Sequence, residues 1–72
     1  MQERFTGKSG ADLIALRERL GVSQKHIADA MGTTATTLYR WERGLVRMTP
    51  LRYARYEAAA NAVFAAQVEG AA

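Results

Sequence analysis

Arg40, Arg43, Arg47, Arg52 and Arg55 fall in one stretch whose single acid is Glu42. A guanidinium carries a permanent charge and a planar fork of donors that matches phosphate. A cluster of them with little compensating charge suits a polyanion, although such a cluster can also be a solvated face with no partner. Across the chain, 10 basic residues face 7 acidic ones, for a net charge of +3. Other chemistry is poorly supplied. His26 is the sole histidine and there is no cysteine, so neither a thiolate metal site nor a disulfide is expected. No serine or threonine stands with a base and an orienting acid. The expectation is a protein that is not an enzyme and needs no cofactor, metal or small-molecule ligand.

Helical segments must position these arginines. The first is expected over about Gly10 to Leu20, with Ser9 as cap and Asp12 completing a capping box. Leu13, Leu16 and Leu20 share its apolar face, and Gly21 stops it. The second runs from about Gln24 to Met31, between Ser23 and Gly32, with Val22 and Ile27 placed to close a hydrophobic staple. The third is capped by Thr34 and runs from about Ala35 to Arg43, with Leu38 and Trp41 buried and Gly44 terminating it. After a loop, Thr49 caps a fourth helix that Pro50 begins, where its missing N–H is harmless. That helix is expected to reach about Val68, with Gly70 beyond it. No strand signal, repeat or low-complexity tract is present.

With 72 residues, the chain is read as one domain (9–72) behind an N-terminal arm (1–8). A domain this small is marginal in stability, so well-packed helices or oligomerisation are needed. The composition, 49% hydrophobic and 24% charged, is that of a folded soluble domain. The start of the chain is polar, and the most apolar run, Ala58 to Ala66, is too short to span a bilayer. A cytoplasmic protein without membrane contact is expected.

The informative stretch is 23–44, SQKHIADAMGTTATTLYRWERG. Two short helices meet at a tight turn, where Gly32 can take a positive φ without strain. Ala28 sits where the helices cross closely, and Leu38 and Trp41 lock the second helix onto the first. Such an angle lets one helix enter a major groove while the other crosses the backbone.

Here the chain resembles the Cro/repressor-type (XRE family) helix-turn-helix transcriptional regulators of bacteria and their phages. The matching residues are Leu16-Arg17, Gly21-Val22-Ser23-Gln24, Ile27-Ala28, Met31-Gly32-Thr33-Thr34, Leu38 and Arg40-Trp41-Glu42-Arg43-Gly44, within residues 10 to 56. The resemblance implies an all-α, lambda-repressor-like bundle of four to five helices with a long C-terminal helix. It implies base contacts from Ala35, Thr36, Tyr39 and Arg40, and phosphate contacts from Gln24, Thr34, Thr37, Arg43 and Arg47. A phosphate near Gln24 is physically sensible, because free N–H groups and the helix dipole favour an anion there. It also implies that Arg17 and Glu42 form a largely buried ion pair; the alternative is two independent surface charges. Two positions depart from common family usage: Ala35 has no hydrogen-bonding group and Tyr39 is unusually large. Readout then leans on Arg40 with a guanine and on methyl contacts from Ala35 or Thr36 to thymine.

The C-terminal helix (49–69) is apolar on two nearly opposite sides. Tyr53, Tyr56, Ala60, Val63 and Phe64 gather on one, and Leu51, Ala54, Ala58, Ala62 and Ala65 on the other. One side covers the core and the other calls for a second copy. The pattern alone leaves open which does which, and the aromatic side is taken as the dimer interface. Arg52 and Arg55 lie off that side, within reach of phosphates. The function expected is a homodimeric regulator of double-stranded DNA, a repressor on an inverted-repeat operator. The alternative is an antitoxin-type protein-interaction module that also binds DNA, for which only residues 1–8 could hold a partner.

Overall fold

In a computed structural model, residues 8–71 are described, and four helices account for most of them. They are α1 (Gly10–Leu20), α2 (Gln24–Met31), α3 (Ala35–Glu42) and α4 (Pro50–Ala71). All of the expected N-terminal arm but Lys8 lies outside the described residues; the Lys8 ammonium sits 4.9 Å from the centre of the Tyr53 ring.

The capping signals act where the sequence places them. At α1 the Asp12 carboxylate accepts from the Ser9 backbone N–H at 2.7 Å. With the Ser9 side chain facing the Asp12 N–H in return, the expected capping box is present, and the Asp12 N–H also reaches the Ser9 carbonyl at 3.0 Å. Ser23 Oγ accepts from the His26 N–H at 3.0 Å, and Val22 and Ile27 are both buried, as a staple requires. At α4, Thr49 Oγ1 accepts from the Arg52 N–H at 3.1 Å. The turn between α2 and α3 rests on Gly32, at φ +73°, whose geometry lets the Thr33 N–H reach back to the Ala28 carbonyl at 2.9 Å.

Two ends differ from expectation. α3 closes at Glu42, with Arg43 as its cap. α4 continues through Gly70 to Ala71, because a single glycine costs only about 1 kcal/mol in an alanine-rich helix.

α4 and α3 each pack against both α1 and α2. The core between them is Leu13, Leu16, Val22, Ile27, Ala28, Leu38, Tyr56, Ala59 and Ala60. Trp41 is half-buried at the edge of this core rather than inside it. The aromatic side of α4 faces inward, which corrects the interface expected there. Tyr56 and Ala60 are fully buried within the protomer, and Tyr53 and Val63 pack against the same core. Of that set, Phe64 is exposed. The reason is area: the Tyr56 ring carries far more apolar surface than the alanines opposite, so turning it inward removes most from water.

Gly10 has a role that its place at a helix start does not announce. It is buried, and a Cβ there would overlap the carbonyl oxygens of Trp41 and Glu42. The absence of a side chain lets α1 begin directly against the end of α3.

Candidate nucleic-acid interface

α3 has two faces of opposite character, set by its 3.6-residue period. Leu38 and Glu42 point inward and are buried. Thr36, Tyr39, Arg40 and, just past the helix, Arg43 point outward and are exposed.

Glu42 joins the four helices. Arg17 of α1 meets it with a two-pronged grip, Nε to Oε2 and Nη2 to Oε1, each 2.9 Å. Gln24 of α2 donates to Oε1 at 3.1 Å, and the Tyr56 hydroxyl of α4 donates to Oε2 at 2.5 Å. An ionised carboxylate offers about four acceptor positions, so this one is saturated. That matters because its side chain is only 3% exposed, whereas that of Arg17 is 23% exposed. A charge so enclosed is costly unless every lone pair is met. The Glu42 hydrogen bonds raise the Arg17 pKa above its ordinary value, more than burial lowers it. Burial, and then the bond to Glu42, pushes the Tyr56 phenol well above its ordinary range, which keeps it a donor.

The pairing of Arg17 with Glu42 is therefore a structural fact, and Glu42 leaves the outer arginines uncompensated. Gln24 departs from expectation. Its amide turns inward onto Glu42 instead of standing free at the start of α2, because the carboxylate needs a donor on that side.

On the outer face, the Arg40 side chain has no hydrogen-bond or ion-pair partner among the described residues. The Arg43 guanidinium lies 5.6 Å from the centre of the Tyr39 ring. A cation held over an aromatic face is oriented without being neutralised. Tyr39 is itself 50% exposed. Thr34 and Thr37 are tied together at the start of α3: the Thr37 N–H donates to Thr34 Oγ1 at 3.2 Å, and their hydroxyls are 3.1 Å apart. Ala35 and Thr37 are half-covered and Thr36 is open.

The loop after α3 carries Arg47 at its surface and is held by Arg52. Arg52 Nη1 donates to the Arg47 carbonyl at 2.6 Å, and its guanidinium lies 5.9 Å from the centre of the Trp41 ring. Arg52 is thus committed to fixing the loop against the end of α3. Arg55 stands apart from α3, beside Ala30 and Met31 of α2. Of the five clustered arginines, Arg40 and Arg43 are exposed along α3 and its end, Arg43 over the Tyr39 ring, and Arg47 is exposed on the adjoining loop.

Three contributors escape the sequence reading: Tyr56 as a donor, Gln24 as an inward donor, and Gly10 as a contact point. A buried tyrosine does signal that its hydroxyl needs a partner, but which partner depends on packing between distant segments. His26 is exposed, with Nδ1 2.6 Å from Ser23 Oγ, and no group of residues among those described could hold a metal ion. No helix among them is long and apolar enough to cross a membrane.

A family model described as a helix-turn-helix domain matches residues 10–72. Comparison with curated proteins and with solved structures found no match.

Proposed function

The chain belongs to the helix-turn-helix domain family, and from that premise we propose that it is a sequence-specific regulator of transcription that binds double-stranded DNA. In this reading it is a repressor of the Cro type, occupying an inverted-repeat operator as a homodimer. The observation that carries the reading is the division of α3. Its inner acid is saturated by Arg17, Gln24 and Tyr56, while its outer Arg40 has no partner among the described residues. A helix held rigidly from behind, with free cations in front, is suited to a major groove.

Arg40 is assigned to a guanine edge, and Ala35 and Thr36 to thymine methyl groups. Tyr39 carries Arg43 toward the backbone and adds its own ring edge to the base contacts. Arg47, Thr34 and Thr37 meet phosphates. For Gln24, a phosphate contact is compatible with its bond to Glu42, since an amide nitrogen carries a second hydrogen.

The test is selection of bound duplexes from random DNA, followed by footprinting and titration at several salt concentrations. An inverted repeat is expected, with half-site centres about 10–11 base pairs apart or one turn more. A protein that binds all sequences alike, with affinity set by salt alone, would be a non-specific binder and would refute the reading.

A further inference from the structure

One side of α4 remains exposed among the described residues. Leu51, Arg55, Ala58, Ala62, Ala65 and Glu69 recur alternately four and three residues apart, and all are exposed. This is the spacing of a seam between two helices. Beside it, a groove of about 390 Å³ opens between α4 and the end of α2, lined by Ala30, Met31, Ala58, Ala59 and Ala62, with Arg55 at its rim. From Asn61 to Gly70 the helix has little cover, Val63 alone being partly buried. A free helical end of that length is marginal in water and gains by docking.

The charges at the two ends of the seam identify the occupant. Arg55 stands seven residues before Ala62 and Glu69 seven after it. Neither has an ion-pair or hydrogen-bond partner through its side chain among the described residues. We propose that this face pairs with the same face of a second copy, α4 against α4 and antiparallel, about a two-fold axis near Ala62. The inference builds on the dimer put forward above and adds its surface and register. In that register Arg55 of each copy meets Glu69 of the other, and the alanines meet at the centre. A parallel pairing would set Arg55 against Arg55 and Glu69 against Glu69, so the charges select the antiparallel arrangement. The alanines allow a close approach of the two helix axes. The flank of the second helix then lies along the groove beside Met31. The overlap of 55–69 is about 21 Å long at 1.5 Å per residue. That is small for a protein interface, so the association is weak and concentration-dependent.

Sedimentation velocity over a rising concentration series tests the pairing. The unaltered chain should pass from monomer to dimer. Arg55→Glu and Glu69→Arg should each weaken dimerisation by about tenfold, because two attractive pairs become repulsive. The double charge reversal should restore most of it, and Ala62→Arg should abolish it by setting two cations together on the axis. All three positions are exposed, so thermal melts of the dilute proteins should be unchanged. An unaltered chain that stays monomeric throughout, or single reversals that dimerise as well as it does, would overturn the proposal. Titration of each protein with a duplex carrying one half-site keeps the two readings apart. An unaltered chain that stays monomeric yet binds the half-site upholds DNA recognition and removes this pairing. A dimer that ignores every duplex upholds the pairing and removes the DNA reading.

Discussion

The inner and outer faces of α3 hold charge in opposite ways. Glu42 is enclosed, and three side chains from three other helices converge on it. Arg40 and Arg43 are open, with no ion pair among the described residues, and the Arg43 guanidinium lies over the Tyr39 ring. Enclosed charge has to be met inside the fold, where its loss is felt as stability. Open charge costs the fold nothing and is available to a partner. Substitutions on the two faces should therefore separate cleanly into unfolding and loss of binding.

The largest effect is expected at the ion pair. Arg17→Met strands a carboxylate that is nearly inaccessible to water, at a cost of about 3–5 kcal/mol, enough to unfold much of so small a domain. Glu42→Gln should cost less, at the low end of that range, because Arg17 can still reach solvent. Thermal melts rank the two. Equal and small losses would mean that the hub is not what holds α3. Replacing both residues by apolar ones should recover stability only in part, since Gln24 and Tyr56 would keep donors aimed at a missing acceptor.

Next comes Tyr56→Phe, which removes one donor to a charged group and should cost about 1.5 kcal/mol or somewhat more. It also sharpens the comparison through pH. The folded pKa of Tyr56 is raised above its unfolded value, so its contribution is whole below about pH 10 and is lost as pH rises further. In the unaltered protein, phenolate absorbance from one tyrosine should appear together with loss of helical circular dichroism. In Tyr56→Phe that coupled step should be gone; its persistence would assign the alkaline transition to another group.

Gly10→Ala probes the seam between α1 and α3. Its added carbon would overlap the Trp41 and Glu42 carbonyls, so α1 must shift, at about 1–3 kcal/mol. Chemical denaturation measures this, and a neutral result would mean that the two helices separate easily.

On the outer face, stability should scarcely change, by less than about 0.5 kcal/mol. Arg40→Ala should weaken specific binding by about 1–3 kcal/mol and relax preference at one base pair. Arg43→Ala should weaken all sequences alike and flatten the salt dependence. If Arg40→Ala melts the domain, or leaves base preference intact, the division between the faces fails.

Much of this architecture was written locally. Ser9, Ser23, Thr34 and Thr49 each satisfy helix-end N–H groups or begin the helix within a turn of themselves, and Gly21 and Gly32 end helices by their own backbone freedom. Those signals are short-range, so helix order and most boundaries were legible in the chain. The link from Arg17 to Glu42 was legible through family resemblance, not through spacing. Tertiary structure decided the rest. Only packing chose which side of α4 is core, because both sides are apolar and the choice turns on where the Tyr56 ring finds room and an acceptor. Only packing turned Gln24 inward and brought Gly10 against the end of α3, because each depends on a neighbour many residues away whose position no local propensity encodes.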